Sequence, residues 1–305
     1  MSKAGSLRPD PTVIGDVAAP PFARLPDPAS LFAERARRFR TVAEGHRLGA
    51  YLKFLGQLSD CLHRLLQGLP APDLPAAEAR ARAREYAMPP LDRTHFTADA
   101  ALDATFDRLF ALSAEIDMPE TARAALDRVR GADASGRDAM LRNVLAESIP
   151  VEMMADHVYV AAALQVHFAR AAALLDVEAL VPIGDGVCPS CGGAPVASAI
   201  VGWKGAHGTR FCSCSLCATQ WHAVRIKCVL CNATKGIAYQ ELDGGPATVK
   251  AETCETCHGY LKIMHQHKDP ALDPVADDIA TLGLDLLLRE GGYQRGAVNP
   301  FLLGY

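Results

Sequence analysis

The sequence predicts an α+β fold, in which an all-helical N-terminal domain precedes two tandem four-cysteine units and a C-terminal helix that packs back on the protein. Two observations predict this order. The region before Gly184 is rich in Ala, Leu, Arg and Glu, which favour helices. Nine of the ten cysteines lie between 188 and 257. The predicted divisions are an extended or partly disordered arm at 1–26, the helical domain at 27–183, cysteine units at 184–227 and 228–268, and the C-terminal helix and tail at 269–305.

Composition limits the possible classes of protein. The chain has 305 residues and half of them are hydrophobic, which is enough for a conventional core and excludes a disordered protein. Its formal net charge of −4 predicts no global attraction to nucleic acid or to an anionic membrane. The Pro-rich first thirty residues contain no apolar run of signal-peptide length. We therefore expect a cytoplasmic location.

Membrane insertion is not expected either. The most apolar stretch, 158–175, is interrupted by Gln165, His167 and Arg170, whereas a membrane-spanning helix needs about 20 apolar residues. The stretch predicts a buried helix of a soluble protein. We interpret His157 and His167 on this helix as hydrogen-bonded core residues rather than as ligands.

Capping and breaking signals place the helices of the N-terminal domain. Asp27, Asp99 and Pro119 stand where helices are expected to begin. The second predicted helix carries Leu and Tyr at helical spacing, and Cys61 lies on the same apolar stripe, so Cys61 is predicted to be a small core residue. The seven predicted helices are 29–43, 47–68, 76–87, 98–115, 119–130, 135–147 and 151–175.

The C-terminal segment predicts one further helix. Residues 275–290 are strongly apolar, follow Asp273, and end at Gly291, so this helix should pack back on the protein. Asp277 and Asp278 would lie in its first turn, where the helix dipole favours negative charge. The remaining tail ends in apolar residues and is expected to lie along a groove.

The cysteines form a tandem repeat. Four C-x-x-C pairs occur, with 22 residues between the first and second pairs and 22 between the third and fourth, and each pair of the first unit recurs 40 positions later. A C-x-x-C pair folds into a tight knuckle that turns both thiolates toward one ion, and two knuckles complete a four-sulfur shell. The candidate metal ligands are Cys188, Cys191, Cys214, Cys217, Cys228, Cys231, Cys254 and Cys257.

The knuckle turn requires positive φ just after its second cysteine, which favours Gly or Asn. Gly192 and Asn232 satisfy this expectation, Ala218 does not, and Gly259 would satisfy it one residue late. The form CPSCGG at the first knuckle is typical of rubredoxins and zinc ribbons, so we predict two rubredoxin-like or zinc-ribbon-like units. Each is too small for a sufficient hydrophobic core, and bound metal would supply the missing stability.

Sequential, interleaved and nested pairings of the knuckles are all possible. The equal length of the two units favours the sequential pairing, with one ion in each unit. Cys212 breaks the repeat because Glu252 occupies the equivalent position, and we interpret Cys212 as an ordinary strand residue rather than a substitute ligand or a redox-active thiol. Four-sulfur sites suit iron and zinc alike.

Cys254-Glu-Thr-Cys257-His258 matches the attachment motif of c-type haem. Haem attachment normally follows export, and both cysteines already fill the fourth knuckle of the repeat. We therefore predict no haem, and His258 needs no role as an axial ligand.

With the knuckles placed, the stretches CPSCGGAPVAS, GTRFCSCSLCATQWHAVRIKCVLC, KAETCETCHGYLKI and GYQRGAVNPFLL closely resemble the FdhE family, the formate dehydrogenase accessory proteins of bacteria. The likeness covers about the C-terminal 120 residues. Cys212 and His258 depart from the family pattern, where a single cysteine pair and a glycine are usual.

The resemblance implies a cytoplasmic accessory protein. It would bind the catalytic subunit of a respiratory molybdenum or tungsten formate dehydrogenase during maturation, before that enzyme is exported. It also implies rubredoxin-type iron centres at the eight paired cysteines, with zinc as the other metal that the donor set suits.

Two alternative functions are open. A rubredoxin-like electron-transfer protein would use the same four-sulfur sites. A zinc-ribbon nucleic-acid-binding module is disfavoured because residues 188–267 carry seven Lys and Arg against four Asp and Glu, a weak basic footprint even with Trp203 and Trp221 interleaved. Trp221 and His222 follow the second knuckle, as an aromatic residue packed over a metal site would. The sequence lacks a nucleophile elbow, a phosphate loop and a dinucleotide fingerprint, so we predict that the protein is not an enzyme.

Overall fold

A computed structural model describes residues 20–245 and 247–302 of the chain. All seven helices predicted for the N-terminal domain are present, and their bounds differ from the prediction by at most three residues. They are α1 Pro28–Ala43, α2 Gly49–Leu65, α3 Ala77–Glu85, α4 Ala100–Ser113, α5 Glu120–Gly131, α6 Ala134–Leu145 and α7 Met154–Ala173.

Side-chain caps explain where several helices begin. The Asp27 carboxylate accepts the Ala29 N–H at 3.1 Å, and Pro28 occupies the first helical position of α1. The Asp99 carboxylate accepts the Leu102 N–H at 2.8 Å at the start of α4. Each cap satisfies a backbone donor that the first helical turn leaves unpaired.

Helix α7 is the central helix, and nearly all of its side chains are buried. Its polar residues are tolerated because they bind groups outside the helix. The Gln165 amide donates to the Ser215 carbonyl at 2.8 Å, and Arg170 donates to the Leu69 and Pro70 carbonyls. Among the described residues, no helix has both the length and the apolar character that crossing a membrane requires.

Cys61 lies in the core, as predicted. Its residue is 3% exposed on the apolar face of α2, and its Sγ lies 3.6 Å from the Leu112 carbonyl oxygen. Burial raises the pKa of the Cys61 thiol to about 11, so the thiol stays neutral.

Each cysteine unit forms a three-stranded antiparallel meander. The first unit contains β2, β3 and β4, and the second contains β5, β6 and β7. Corresponding strands lie about 40 residues apart, which confirms that the sequence repeat is a structural repeat. The strands are β1 Ala23–Arg24, β2 Pro195–Ile200, β3 Arg210–Cys214, β4 Gln220–Ala223, β5 Ile237–Gln240, β6 Val249–Cys254, β7 Gly259–Met264 and β8 Gln294–Arg295.

The two units share one sheet, with the strand order β1-β4-β3-β2-β7-β6-β5. The first strand of one unit joins the last strand of the other, because β2 and β7 run parallel with Ser198 opposite Ile263 and Ala199 opposite Met264. At the edge of the sheet opposite β5, Ala23 and Arg24 from the predicted arm form β1 and pair with β4. Residues 1–19 of the arm lie outside the described part of the chain.

The predicted C-terminal helix packs back on the protein, but it is divided in two. Helix α8 spans Ala276–Ala280 and α9 spans Leu282–Glu290, with Thr281 between them in a non-helical conformation. Arg38 of α1 binds Asp277 at 2.7 Å, and Arg35 binds Asp273 at 3.3 Å. These ion pairs fix α8 against the helical domain.

Asp277 and Asp278 lie in the first turn of α8, but the helix dipole does not explain their surroundings. Both side chains are buried, and Asp278 contacts Lys262 and Arg295. The dipole interpretation missed these buried ion pairs, because the cationic partners lie elsewhere in the sequence.

The tail follows the surface of both parts of the protein. Strand β8 pairs with β7, the Asn299 amide donates to the Val275 carbonyl at 3.2 Å, and the Tyr51 hydroxyl donates to the Phe301 carbonyl. The tail therefore lies in a groove up to residue 302, and residues 303–305 are outside the described part.

Candidate metal centres

The four paired cysteines of the first unit bring their sulfur atoms together. Cys188 Sγ lies 3.6 Å from Cys217 Sγ, and Cys191 Sγ lies 3.4 Å from Cys214 Sγ. All four sulfurs are within 4.8 Å of one another, and all four residues are buried. We call this quartet centre I.

The second unit contains an equivalent quartet, which we call centre II. Cys228 Sγ lies 3.8 Å from Cys257 Sγ, and Cys231 Sγ lies 3.7 Å from Cys254 Sγ. Cys228 and Cys254 are buried, whereas Cys231 and Cys257 are exposed. The eight thiols are thus grouped sequentially, one quartet to each unit, rather than in an interleaved or nested arrangement.

Both quartets have the dimensions of a four-sulfur metal shell. A tetrahedral ion with metal–sulfur bonds of about 2.3 Å separates its sulfurs by roughly 3.8 Å. The sulfur pairs above lie 3.4 to 3.8 Å apart, and all ten cysteines are free thiols rather than disulfides. The donor set and its spacing therefore fit one zinc or iron ion in each centre.

The turn after each knuckle has the same backbone conformation. The residue that follows the second cysteine has φ of 76° at Gly192, 60° at Ala218, 64° at Asn232 and 51° at His258. The expectation that Gly259 supplies the positive φ of the fourth knuckle is therefore wrong. His258 itself adopts the left-handed conformation, because the turn fixes the position and not the residue type.

Backbone hydrogen bonds repeat between the first and third knuckles. The Gly192 N–H donates to the Cys188 carbonyl at 2.9 Å, and the Asn232 N–H donates to the Cys228 carbonyl at 2.9 Å. In the second knuckle, the N–H groups of Leu216 and Cys217 both point at Cys214 Sγ at 3.4 Å. Amide donors directed at sulfur favour its thiolate form.

The thiols of each quartet have divergent pKa values. In centre I, burial raises the pKa of Cys188, whereas the pKa of Cys214 falls well below its ordinary value because neighbouring thiols and the Cys217 N–H outweigh burial. In centre II, burial raises the pKa of Cys228 to about 12, while backbone N–H groups outweigh burial and lower the pKa of Cys254 to about 7. Ionisation of the Cys188 and Cys228 thiols therefore requires a nearby cation.

Centre I is enclosed by the helical domain. The loop before α4 binds its first knuckle, because the N–H groups of Leu91 and Arg93 donate to the Ser190 and Cys191 carbonyls at 2.9 and 3.2 Å. Gln165 of α7 holds the second knuckle through its bond to the Ser215 carbonyl. These contacts connect the first quartet to the core of the helical domain.

Centre II lies beside the segment between α9 and β8. The Tyr293 hydroxyl donates to the Glu255 carboxylate at 2.6 Å beside the fourth knuckle, and the rings of His258 and Tyr293 lie 6.2 Å apart. Cys254 and Cys257 both direct their sulfurs into this quartet, which supports their interpretation as a knuckle rather than a haem attachment site.

Cys212 lies in a strand, as predicted, and is not a member of either quartet. It is fully buried in β3 between Ser198 and Trp221, and burial raises the pKa of its thiol to about 12. Its equivalent in the second unit, Glu252, forms an ion pair with Arg210 at 3.0 Å in which both side chains are nearly inaccessible. Sequence reasoning missed this pair, which connects the two units.

The histidines of α7 have no ligand geometry. His157 is hydrogen-bonded to the Met153 carbonyl at 2.7 Å, as predicted for a core residue. His167 is buried with its Nδ1 atom 3.6 Å from the Asp99 carboxylate, and burial lowers its pKa. His167 is thus a buried core residue as predicted, but its Nδ1 atom has no hydrogen-bond partner among the described residues.

Trp221 is buried within the first unit. It is 2% exposed, lies opposite Cys212 and Ala23, and donates its indole N–H to the Asp185 carbonyl at 2.9 Å. The ring of His222 lies against Phe211 with a centroid separation of 5.9 Å. Trp221 therefore stabilises the sheet that supports centre I.

Fold and site together define an α+β protein with a helical domain and a duplicated sheet that carries two four-cysteine clusters. The chain belongs to the FdhE family. Models of the FdhE N-terminal domain, the FdhE central domain and the FdhE C-terminal domain match residues 20–185, 187–225 and 226–302.

Individual relatives agree with the family models. The chain is 47% identical over 301 residues to the protein FdhE homolog of Rhizobium meliloti, covering 98% of each sequence. It is 34% identical over 279 residues to protein FdhE of Escherichia coli, covering 90% of this chain and 88% of that protein. The crystal structure of the FdhE protein from Pseudomonas aeruginosa matches with a TM-score of 0.83 and 35% identity, covering 93% of this chain and 99% of the other.

Proposed function

We propose that this protein is an accessory protein for formate dehydrogenase maturation whose two centres each bind one metal ion. The observation that carries the proposal is the presence of both sulfur quartets in a chain that matches the FdhE family over nearly its full length. The proposed ligands are Cys188, Cys191, Cys214 and Cys217 in centre I and Cys228, Cys231, Cys254 and Cys257 in centre II.

A bound ion would neutralise the thiolates and fix the two knuckles of each unit together, and iron would add one-electron chemistry. Family resemblance favours iron, and zinc suits the same donor set. Centre I also contacts α7 and the loop before α4. An ion bound by its quartet would therefore fix the first unit against the helical domain, and with it the surface that the two parts form together.

The proposed partner is the catalytic subunit of a respiratory molybdenum or tungsten formate dehydrogenase. Binding would take place in the cytoplasm, before that enzyme is exported, and would not involve chemistry on a substrate of this protein. The family membership supports this proposal.

Co-purification tests the proposed partnership. The affinity-tagged protein should retain the catalytic subunit of formate dehydrogenase from its own host, and the double variant Cys188→Ser/Cys191→Ser should lose it. Cys212→Ser is the matched control, since it removes a buried thiol of the same unit that is not part of a quartet. Circular dichroism would show whether the helical domain remains folded in each variant. Full formate dehydrogenase activity in a strain that lacks this protein would contradict the proposal.

Electron transfer is a second candidate function, and the exposure of Cys231 and Cys257 favours it. An iron ion in centre II would lie close to solvent, where a redox partner can approach. Repeated reduction and reoxidation of a visible absorption band by a physiological donor and acceptor, with turnover, would support this function. Absence of turnover with an intact iron site would exclude it.

A further inference from the structure

The last strand of the sheet, β5, has an open edge in the described part of the chain. Strand β5 pairs with β6 on one side, and no described strand pairs with its other side. Tyr239 and Gln240 are exposed, and Ile237 and Ala238 are half-buried. An open edge presents backbone donors and acceptors that can pair with another extended chain.

The hydrogen-bond pattern between β5 and β6 shows which backbone groups of β5 are free to pair with an added strand. The Glu255 N–H donates to the Gly236 carbonyl at 2.9 Å, which makes this residue pair a hydrogen-bonded pair. Because hydrogen-bonded and non-bonded pairs alternate in an antiparallel ladder, Ala238 directs its N–H and C=O toward β6. Ile237 and Tyr239 therefore direct theirs away from β6, toward solvent.

The first unit shows what covers the equivalent edge. Ser198 of β2 lies opposite Cys212, and on its other side it pairs with Ile263 of the parallel strand β7. Tyr239 of β5 lies opposite Glu252, which is the repeat equivalent of Cys212. Tyr239 thus holds the place of Ser198, and the edge that β7 covers in the first unit is open in the second.

Exposed apolar side chains lie on Tyr239 and on the linker that its hydroxyl contacts. Ile226 is 63% exposed, Val224 is 53% exposed and Tyr239 is 44% exposed. The Tyr239 hydroxyl lies 3.2 Å from the Glu252 carboxylate and 3.3 Å from the Arg225 carbonyl, which places the linker between the two units near the Tyr239 side chain. Apolar surface next to an open strand edge is the usual setting for strand addition by a peptide.

We propose that the edge of β5 binds an extended segment of a partner polypeptide as an added parallel strand. Its backbone would pair with Ile237 and Tyr239, and its apolar side chains would cover Ile226 and Val224. The proposal rests on the proposed function, because the partner is the catalytic subunit named there. The edge of β5 would select an uncharged, apolar segment without proline. The model for this segment is the part of β7 that pairs with β2, where Ile263 and Met264 lie opposite Ser198 and Ala199.

A second copy of this chain fits the edge less well. Two β5 edges related by a two-fold axis would run antiparallel to each other, since the axis reverses the strand direction. The internal precedent, β2 with β7, is parallel. The parallel geometry therefore favours a segment of a different chain.

Hydrogen exchange with a matched pair of variants tests this surface. In the complex with the catalytic subunit, the amides of Ile237 and Tyr239, which do not bond to β6, should exchange about tenfold more slowly, or slower still, than in the free protein. Tyr239→Pro removes an N–H that does not bond to β6, so it should keep the fold and weaken binding about tenfold or more. Tyr239→Thr removes the same side chain but keeps the N–H and a strand-forming residue, and it should bind nearly as tightly as the parent. Metal content and circular dichroism check the folding of both variants.

The possible outcomes separate the two proposals. Protection of the Ile237 and Tyr239 amides in the complex, together with selective loss of binding in Tyr239→Pro, supports strand addition. If the protein captures the subunit but these amides gain no protection, and Tyr239→Pro binds as tightly as the parent, the β5 edge is not the binding surface. The proposed function would remain intact. Failure of the parent protein to bind the subunit overturns both. Protection of the Ile237 and Tyr239 amides that is already present in the free protein, or that appears only on self-association, shows that another segment or a second copy occupies the edge and overturns the inference.

Discussion

At the scale of single residues, the knuckles impose their backbone conformation on whatever side chain the sequence supplies. Ala218 and His258 have φ of 60° and 51°, in the region where a Cβ atom is unfavourable. Gly192 has φ of 76° at the equivalent position of the first knuckle. The strain at Ala218 and His258 therefore lies in the turns that bring the sulfurs together.

Glycine at position 218 should relieve that strain. We expect Ala218→Gly to raise the melting temperature of the metal-loaded protein by roughly 1–2 °C, since about 1 kcal/mol or less is gained and the chain is long. Thermal unfolding followed by circular dichroism measures the change. The matched opposite change, Gly192→Ala, should lower the melting temperature, and its added Cβ would lie 3.2 Å from Pro89 Cγ. A lower melting temperature for Ala218→Gly would contradict this account of the turn.

The sequence predicted the features that follow from local spacing. The eight paired cysteines and the core position of Cys61 could be read from short-range patterns. Buried charges could not be predicted, because an isolated Lys or Asp in the sequence indicates a solvated side chain. Lys262, Asp278 and the Arg210–Glu252 pair are buried only because residues distant in sequence neutralise them.

At the scale of elements, a buried ionic cluster fixes the C-terminal helices to the second cysteine unit. Lys262 of β7 is 1% exposed and donates to the Asp285 carboxylate of α9 and to the Asp278 carbonyl of α8. Arg295 of β8 binds both Asp278 and Asp285. Two cations and two anions are thus enclosed together, and the bend at Thr281 directs α8 and α9 to the same cluster.

Removing Lys262 should leave the two buried carboxylates of the cluster with Arg295 as their remaining cation. Lys262→Met is expected to destabilise the protein by about 3–5 kcal/mol, because an unpaired buried charge costs more than the pair contributes. Chemical denaturation followed by circular dichroism measures the loss. Lys235→Met is the matched control on the same unit, since Lys235 is exposed, and it should change stability by roughly 0.5 kcal/mol or less. Equal effects of the two substitutions would show that the cluster does not fix the helices.

At the scale of the whole molecule, the two centres differ in their surroundings. The four cysteines of centre I are buried against the helical domain, whereas Cys231 and Cys257 of centre II are exposed. The helix positions and the order of the units could be predicted, because capping signals and the 40-residue repeat are local. The union of both units into one sheet could not, because it depends on pairing between Ser198 and Ile263, 65 residues apart.

The difference in exposure predicts stepwise metal loss. A soluble chromogenic chelator should remove zinc from centre II about tenfold or more faster than from centre I, because a chelator reaches exposed sulfurs without opening the core. Stopped-flow absorbance should then show two phases of equal amplitude. The variant Cys254→Ser/Cys257→Ser should lack the fast phase, while Cys212→Ser should keep both. A single phase in the parent protein would contradict the proposed difference between the centres.

The central claim is that each sulfur quartet binds one ion, and metal analysis of protein purified without air tests it most directly. The account predicts two ions per chain in the parent and in Cys212→Ser, and one ion per chain in Cys188→Ser/Cys191→Ser and in Cys254→Ser/Cys257→Ser. An optical spectrum on the same samples would distinguish coloured ferric four-sulfur iron from colourless zinc. A folded parent protein that contains no stoichiometric metal, or whose thiols are joined as disulfides, would contradict the claim.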